Sequence, residues 1–125
     1  MGRLLLICFA GALGTGARYL VTVWAAQRFG TAFPYGTLIV NLAGCFLISF
    51  VLQLALSQGW SPAVRAAVAI GFLGGLTTYS SFNYESMALV QQGNIAVAAM
   101  NMGATVAGGF ACGALGLFAG QLVTR

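Results

Sequence analysis

Four stretches of this sequence, near 4–26, 36–57, 63–90 and 95–122, are each apolar over the length of a membrane-crossing helix. About 20 helical residues, at roughly 1.5 Å each, cross the hydrocarbon layer of a bilayer. The connections between the stretches are short and hold turn residues: Gly30 to Gly36 with Pro34 inside, Gln58-Gly59-Trp60-Ser61-Pro62, and Gln91-Gln92-Gly93-Asn94. The sequence therefore predicts an all-α integral membrane protein, a single transmembrane domain over 1–125 with four helices. The start, Met1-Gly2-Arg3 before an apolar run, has the form of a secretory leader, but the run continues through Arg18 and Tyr19 to about Trp24 and is read as a span.

The charges agree with this reading. Charged residues make up 5% of the chain, against about 25% in an ordinary soluble domain. They are Arg3, Arg18, Arg28, Arg65, Arg125 and a single acid, Glu85, and the chain has no histidine. One carboxylate without an imidazole leaves general acid–base catalysis without its usual proton carriers, which argues against an enzyme. Isolated arginines form no basic stripe, which argues against nucleic acid as a partner. Cys8, Cys45 and Cys112 lie far apart in apolar stretches and suggest neither a metal pair nor a disulfide framework. Arg3, Arg65 and Arg125 fall toward one side and Arg28 toward the other, a bias thin enough to permit insertion in both orientations.

Small and polar residues inside the stretches carry the functional reading. Gly109, Gly113, Gly116 and Gly120 form one stripe on the fourth helix, suited to close packing, and Asn101 and Thr105 extend it. The third stretch puts Gly71, Gly74 and Gly75, then Thr77, Thr78, Ser80 and Ser81, at the middle of a span, where helix continuity is weakest. A break there exposes carbonyls, and backbone freed at that depth is tolerated only inside protein or along a wet cavity. Carbonyl ends of broken helices hold cations, and two copies meeting at the break supply four oxygens. Arg18, Asn41 and Glu85 are costly in lipid and are expected to face protein or water.

Three blocks in order give a family resemblance: Gly11-Ala-Leu-Gly14-Thr-Gly-Ala-Arg18-Tyr19, Gly36-Thr37-Leu-Ile-Val-Asn41-Leu-Ala-Gly44, and Gly71-Phe-Leu-Gly74-Gly75-Leu-Thr77-Thr78-Tyr79-Ser80-Ser81-Phe82. Over essentially its full length the chain resembles the CrcB/Fluc fluoride channels of bacteria. The resemblance implies an antiparallel, dual-topology homodimer in the inner membrane, with two narrow fluoride pores and a structural Na⁺ on the two-fold axis. It implies that main-chain oxygens of Gly74 and Thr77 hold the sodium. The pore rings fall at Tyr79, where the family has phenylalanine, and at Phe82; Ser81 stands where threonine is usual. Asn41 becomes an anion donor with Thr37 one turn away, Ser80 and Ser81 add hydroxyls, and Arg18 falls near an aqueous vestibule. Asn101 and Thr105 take a polar track where tyrosine and serine are commoner. Fluoride resistance by passive export is the implied role. A small four-helix multidrug antiporter needs an acid in its first helix, which holds Arg18 instead. A non-transporting membrane scaffold accounts for the glycines but not for Arg18, Asn41 or the break.

Overall fold

The computed structural model describes residues 1–125, and all its regular elements are helical. Helices α1 (Gly2–Phe29), α2 (Tyr35–Ser57) and α6 (Ile95–Val123) are the three that are long and apolar enough to cross a membrane singly. The third predicted stretch is divided. It comprises α3 (Pro62–Ala66), a π-helical stretch (Ala67–Phe72), α4 (Leu73–Leu76) and, beyond two extended residues, α5 (Tyr79–Gln91).

The ends of these helices follow from local chemistry. At φ 81° Gly30 turns the chain out of α1, a conformation that costs glycine little. Ser61 caps α3 by accepting a hydrogen bond from the Val64 amide at 3.3 Å, with Pro62 behind it in the first helical turn.

Two close helix pairings organise the bundle. In the first, α1 lies against the π-helical stretch and α4. A methyl group added to Gly14 would collide with the Phe72 carbonyl, and one added to Gly71 would sit 2.7 Å from the Ile7 carbonyl oxygen. In the second, α2 lies against α6, where a methyl on Gly116 would collide with the Phe46 carbonyl and one on Gly120 would come within 2.8 Å of Gln53 Cβ. The glycine stripe of α6 thus faces α2. Lipid tails give helices no hydrophobic reason to associate, so glycines that admit a neighbouring backbone supply dispersion contact instead. Val40, Leu73 and Leu76 fill the space between the pairs, bordered by Ala17, Val21 and Leu47.

The outside is as apolar as the inside. Only 21 of the 125 residues are buried, while Leu5, Phe9, Leu20, Phe110 and Leu122 are all more than half exposed. A surface of that kind is stable against hydrocarbon and not against water. Trp24, Phe29, Phe33 and Tyr35 form a ring cluster around the α1–α2 connection, with centroids 4.8–5.6 Å apart from one ring to the next. At the opposite end of α2, Trp60 donates its indole N–H to Gln58 at 3.2 Å. Aromatic residues at both ends are placed as an interfacial belt requires.

Candidate functional site

The polar chemistry of the molecule gathers where α4 stops. Thr77 (φ −81°, ψ 156°) and Thr78 (φ −152°, ψ 115°) are extended, a conformation that suits β-branched side chains. The Thr77 amide and hydroxyl both donate to the Leu73 carbonyl at 3.0 Å, closing the last turn of α4. Thr78 then caps α5, its hydroxyl oxygen accepting from the Ser81 amide at 3.2 Å. The same hydroxyl donates to Ser81 Oγ at 3.0 Å and lies 3.3 Å from Ser80 Oγ, so both serines belong to the cap.

Asn41 of α2 holds the break from the side. Its Oδ1 accepts from the Thr78 amide at 2.8 Å and its Nδ2 donates to the Thr78 carbonyl at 3.0 Å. The side-chain amide thus pairs with one backbone residue at two points, as a neighbouring strand does, and satisfies polar groups that lipid could not. It has a second effect. In a continuous helix the amides of Thr78 and Ser81 close on the carbonyls of Gly74 and Thr77. Here the first is diverted to Asn41 and the second to the Thr78 hydroxyl. The two diverted bonds leave the Gly74 and Thr77 carbonyls as oxygen donors of the class that a hard cation takes. No group of three or more His, Cys, Asp or Glu side chains converges anywhere to hold a metal.

Gly74 and Thr77 border a cleft of about 770 Å³, with Asn41, Tyr79, Phe82 and Thr105 among its other walls. The Tyr79 and Phe82 rings stand 5.8 Å apart at 59°. Phe82 is buried, whereas Tyr79 is 79% exposed and projects from the bundle. Thr105 Oγ1 is buried without a hydrogen-bond partner. An unpartnered hydroxyl beside a cleft costs stability unless something in the cleft bonds to it.

Thr37 lies apart from this cleft. It borders a second cavity of about 470 Å³ together with Tyr84 and Glu85. Its hydroxyl donates to Glu85 Oε1 at 2.8 Å, and Glu85 Oε2 is buried with no partner. Thr37, Asn41 and Gly44 recur at helical spacing along one buried face of α2, each meeting the third segment at a different level. Gly44 is there by necessity, since a methyl at that position would strike Thr77 Cγ2.

Asn101 is buried against α5, where its Nδ2 donates to Ser86 Oγ at 3.0 Å. It lines neither cavity, and neither do Ser80, Ser81 or Arg18. Arg18 is half-buried on α1, its carbonyl accepting from the Thr22 hydroxyl at 2.9 Å. Among the residues anticipated from sequence, then, Asn41, Gly74, Thr77, Tyr79, Phe82 and Thr105 are brought together. Two participants were not anticipated. Thr78 is the residue Asn41 grips, and its place before Tyr79-Ser80-Ser81 is a helix-cap pattern. Ser86 is one turn beyond Phe82 on the same face, a spacing legible in the sequence.

The model of the family described as CrcB-like protein, Camphor Resistance (CrcB), matches residues 5–117. The chain is 50% identical to a fluoride-specific ion channel FluC of Anaeromyxobacter dehalogenans, an alignment that covers 100% of this chain and 97% of that one. It is 53% identical to one of Anaeromyxobacter sp. strain K over 86% of each chain. With one of Citrifermentans bemidjiense it shares 42% identity, over 94% of this chain and 95% of the other. A full-length match of this kind, on a multi-pass helical frame with its polar groups at a broken helix, shows that the chain belongs to the CrcB family.

Proposed function

We propose that this chain is a fluoride-selective channel that lets fluoride leave the cytoplasm passively across a bacterial inner membrane. The observation that carries the reading is the cleft lined by Phe82, Tyr79 and Thr105 beside the break gripped by Asn41. The names of the relatives support it in parallel.

Fluoride holds its water tightly, so a narrow apolar path must replace each lost water with a donor or a positive ring edge. Asn41 gives one Nδ2 hydrogen to Thr78 and keeps the second for an anion. Thr105 adds a hydroxyl, and the Tyr79 and Phe82 rings offer their electropositive edges. Weak sites in series let an ion enter and leave. Thr37, whose one hydroxyl proton goes to Glu85, stands a turn from Asn41 on α2, Ser80 and Ser81 hold the cap, Asn101 lies on the polar track of α6, and Arg18 attracts anions from a vestibule.

The assembly in this reading is an antiparallel, dual-topology homodimer with two pores. The Gly74 and Thr77 carbonyls of both copies would hold a sodium ion, which would supply a fixed positive charge. The diverted amides of Thr78 and Ser81 support that assignment.

The test is efflux from proteoliposomes loaded with fluoride, followed with an ion-selective electrode. The expected trace is fast, electrogenic and independent of a proton gradient. Efflux that carries no current and requires a proton gradient overturns the channel reading. Anomalous scattering from a heavier substitute for sodium is expected at the Gly74–Thr77 break; its absence there removes the ion.

A further inference from the structure

Phe82 is held by something other than the cleft it faces. Helix α5 follows two extended residues, so the helical ladder of α4 does not determine its rotation about its own axis. Its buried residues, Phe82, Ser86 and Leu89, lie on one face. On that face a single polar chain runs between helices. Asn101 Nδ2 on α6 donates to Ser86 Oγ at 3.0 Å, and the Ser86 hydroxyl donates to the Phe82 carbonyl at 2.7 Å. Asn101 and Ser86 are each 1% exposed, so no solvent competes for either bond.

The chain has a direction. A serine hydroxyl has one proton to give, and here it goes to Phe82, which leaves the oxygen to accept from Asn101. A rotation of α5 large enough to turn Phe82 away from the cleft also pulls Ser86 off Asn101 and strands two buried polar groups. Apolar packing penalises such a rotation far less, because lipid is as apolar as leucine, and the other side-chain link of α5, from Thr37 to Glu85, joins it to α2 at the neighbouring position.

We propose that Asn101 and Ser86 are positioning residues which fix the rotation of α5 and so the angle at which the Phe82 ring meets a permeating ion. The proposal rests on the channel reading above. Asn101 thereby acts on the pore from outside the cleft, through Ser86.

The experiment compares wild type, Asn101→Leu, Ser86→Ala and the double variant in proteoliposomes, reading fluoride efflux and the fluoride-to-chloride flux ratio. Each single variant is expected to lower the ratio about ten-fold, as loss of sub-ångström positioning does. The double variant is expected to fall no further than either single one, since both bonds belong to one chain. In a Phe82→Ile background the Asn101→Leu effect on the ratio is expected to vanish, which a general loss of packing does not produce. Should Asn101→Leu fail to fold, Ser86→Ala, which removes one oxygen, carries the same comparison. A conducting wild type whose variants keep its ratio overturns the proposal alone, as does an effect that persists without the Phe82 ring. A wild type that passes no fluoride overturns the channel reading and the proposal together.

Discussion

The two halves of the third segment are held by opposite means. From Pro62 to Leu76 it is fastened to α1 by glycines that bring backbone onto backbone, with no hydrogen bond from a side chain to another helix. From Thr78 onward it is fastened by three side-chain links: Asn41 to Thr78, Thr37 to Glu85, and Asn101 to Ser86. Close packing spreads its stabilisation over many weak contacts, so that half is held without any side-chain polarity. Hydrogen bonds concentrate it at named atoms, so the other half is fixed at a few points and polar in between. The polar groups of the third segment therefore gather on the second side of the break.

Three tests press on this difference. The largest effect is expected from Asn41→Asp. The carboxylate can accept from the Thr78 amide but has no proton for the Thr78 carbonyl, and its charge repels an anion. Fluoride efflux from proteoliposomes is expected to vanish; efflux at the wild-type rate removes Asn41 from the path.

Next comes a glycine pair on α1. Gly14→Ala drives a methyl into the Phe72 carbonyl and is expected to cost about 1–3 kcal/mol. Gly16→Ala meets nothing within 4 Å and is expected to be neutral or to gain up to about 1 kcal/mol from helix propensity. Unfolding in detergent measures both, and equal values would mean that backbone contact does not hold the first half.

The smallest is Thr37→Val, which removes the single donor to Glu85. Buried hydrogen bonds between membrane helices average about 0.6 kcal/mol and reach about 1.7 kcal/mol. A loss within that range is expected, with Glu85→Gln milder because the amide oxygen still accepts from Thr37.

Much of this was legible before any coordinates. The predicted stretches 4–26, 36–57 and 95–122 lie within α1, α2 and α6, with α1 running past its stretch at both ends and α6 past its own by one residue, whereas 63–90 is divided at Thr77 and Thr78. Hydropathy marks the hydrocarbon layer, whereas a helix continues into the headgroups, so Gly2 and Phe29 extend α1 beyond 4–26. Asn41 and the glycines of the third segment were legible because a polar group or a missing side chain inside a span demands a partner. The π-helical stretch was not, since AVAIGF carries no residue that ordinary helix excludes. Nor were the pairings Thr37–Glu85 and Asn101–Ser86, which depend on how α2 and α6 are rotated against α5. Thr105 was anticipated as a donor, but only packing reveals that its hydroxyl lacks a partner.

The contact of Gly116 with the Phe46 carbonyl bears on the order in which this bundle can be assembled. Its partners are separated in sequence by the whole of the third segment, so α2 enters the bilayer with its contact face bare and keeps it bare until α6 arrives. The earlier pairing, of α1 with the π-helical stretch and α4, waits only for the third segment, which follows α2. Synthesis therefore passes through a state in which α2 is joined to α1 and to the third segment while its other face meets lipid, and α6 completes the structure.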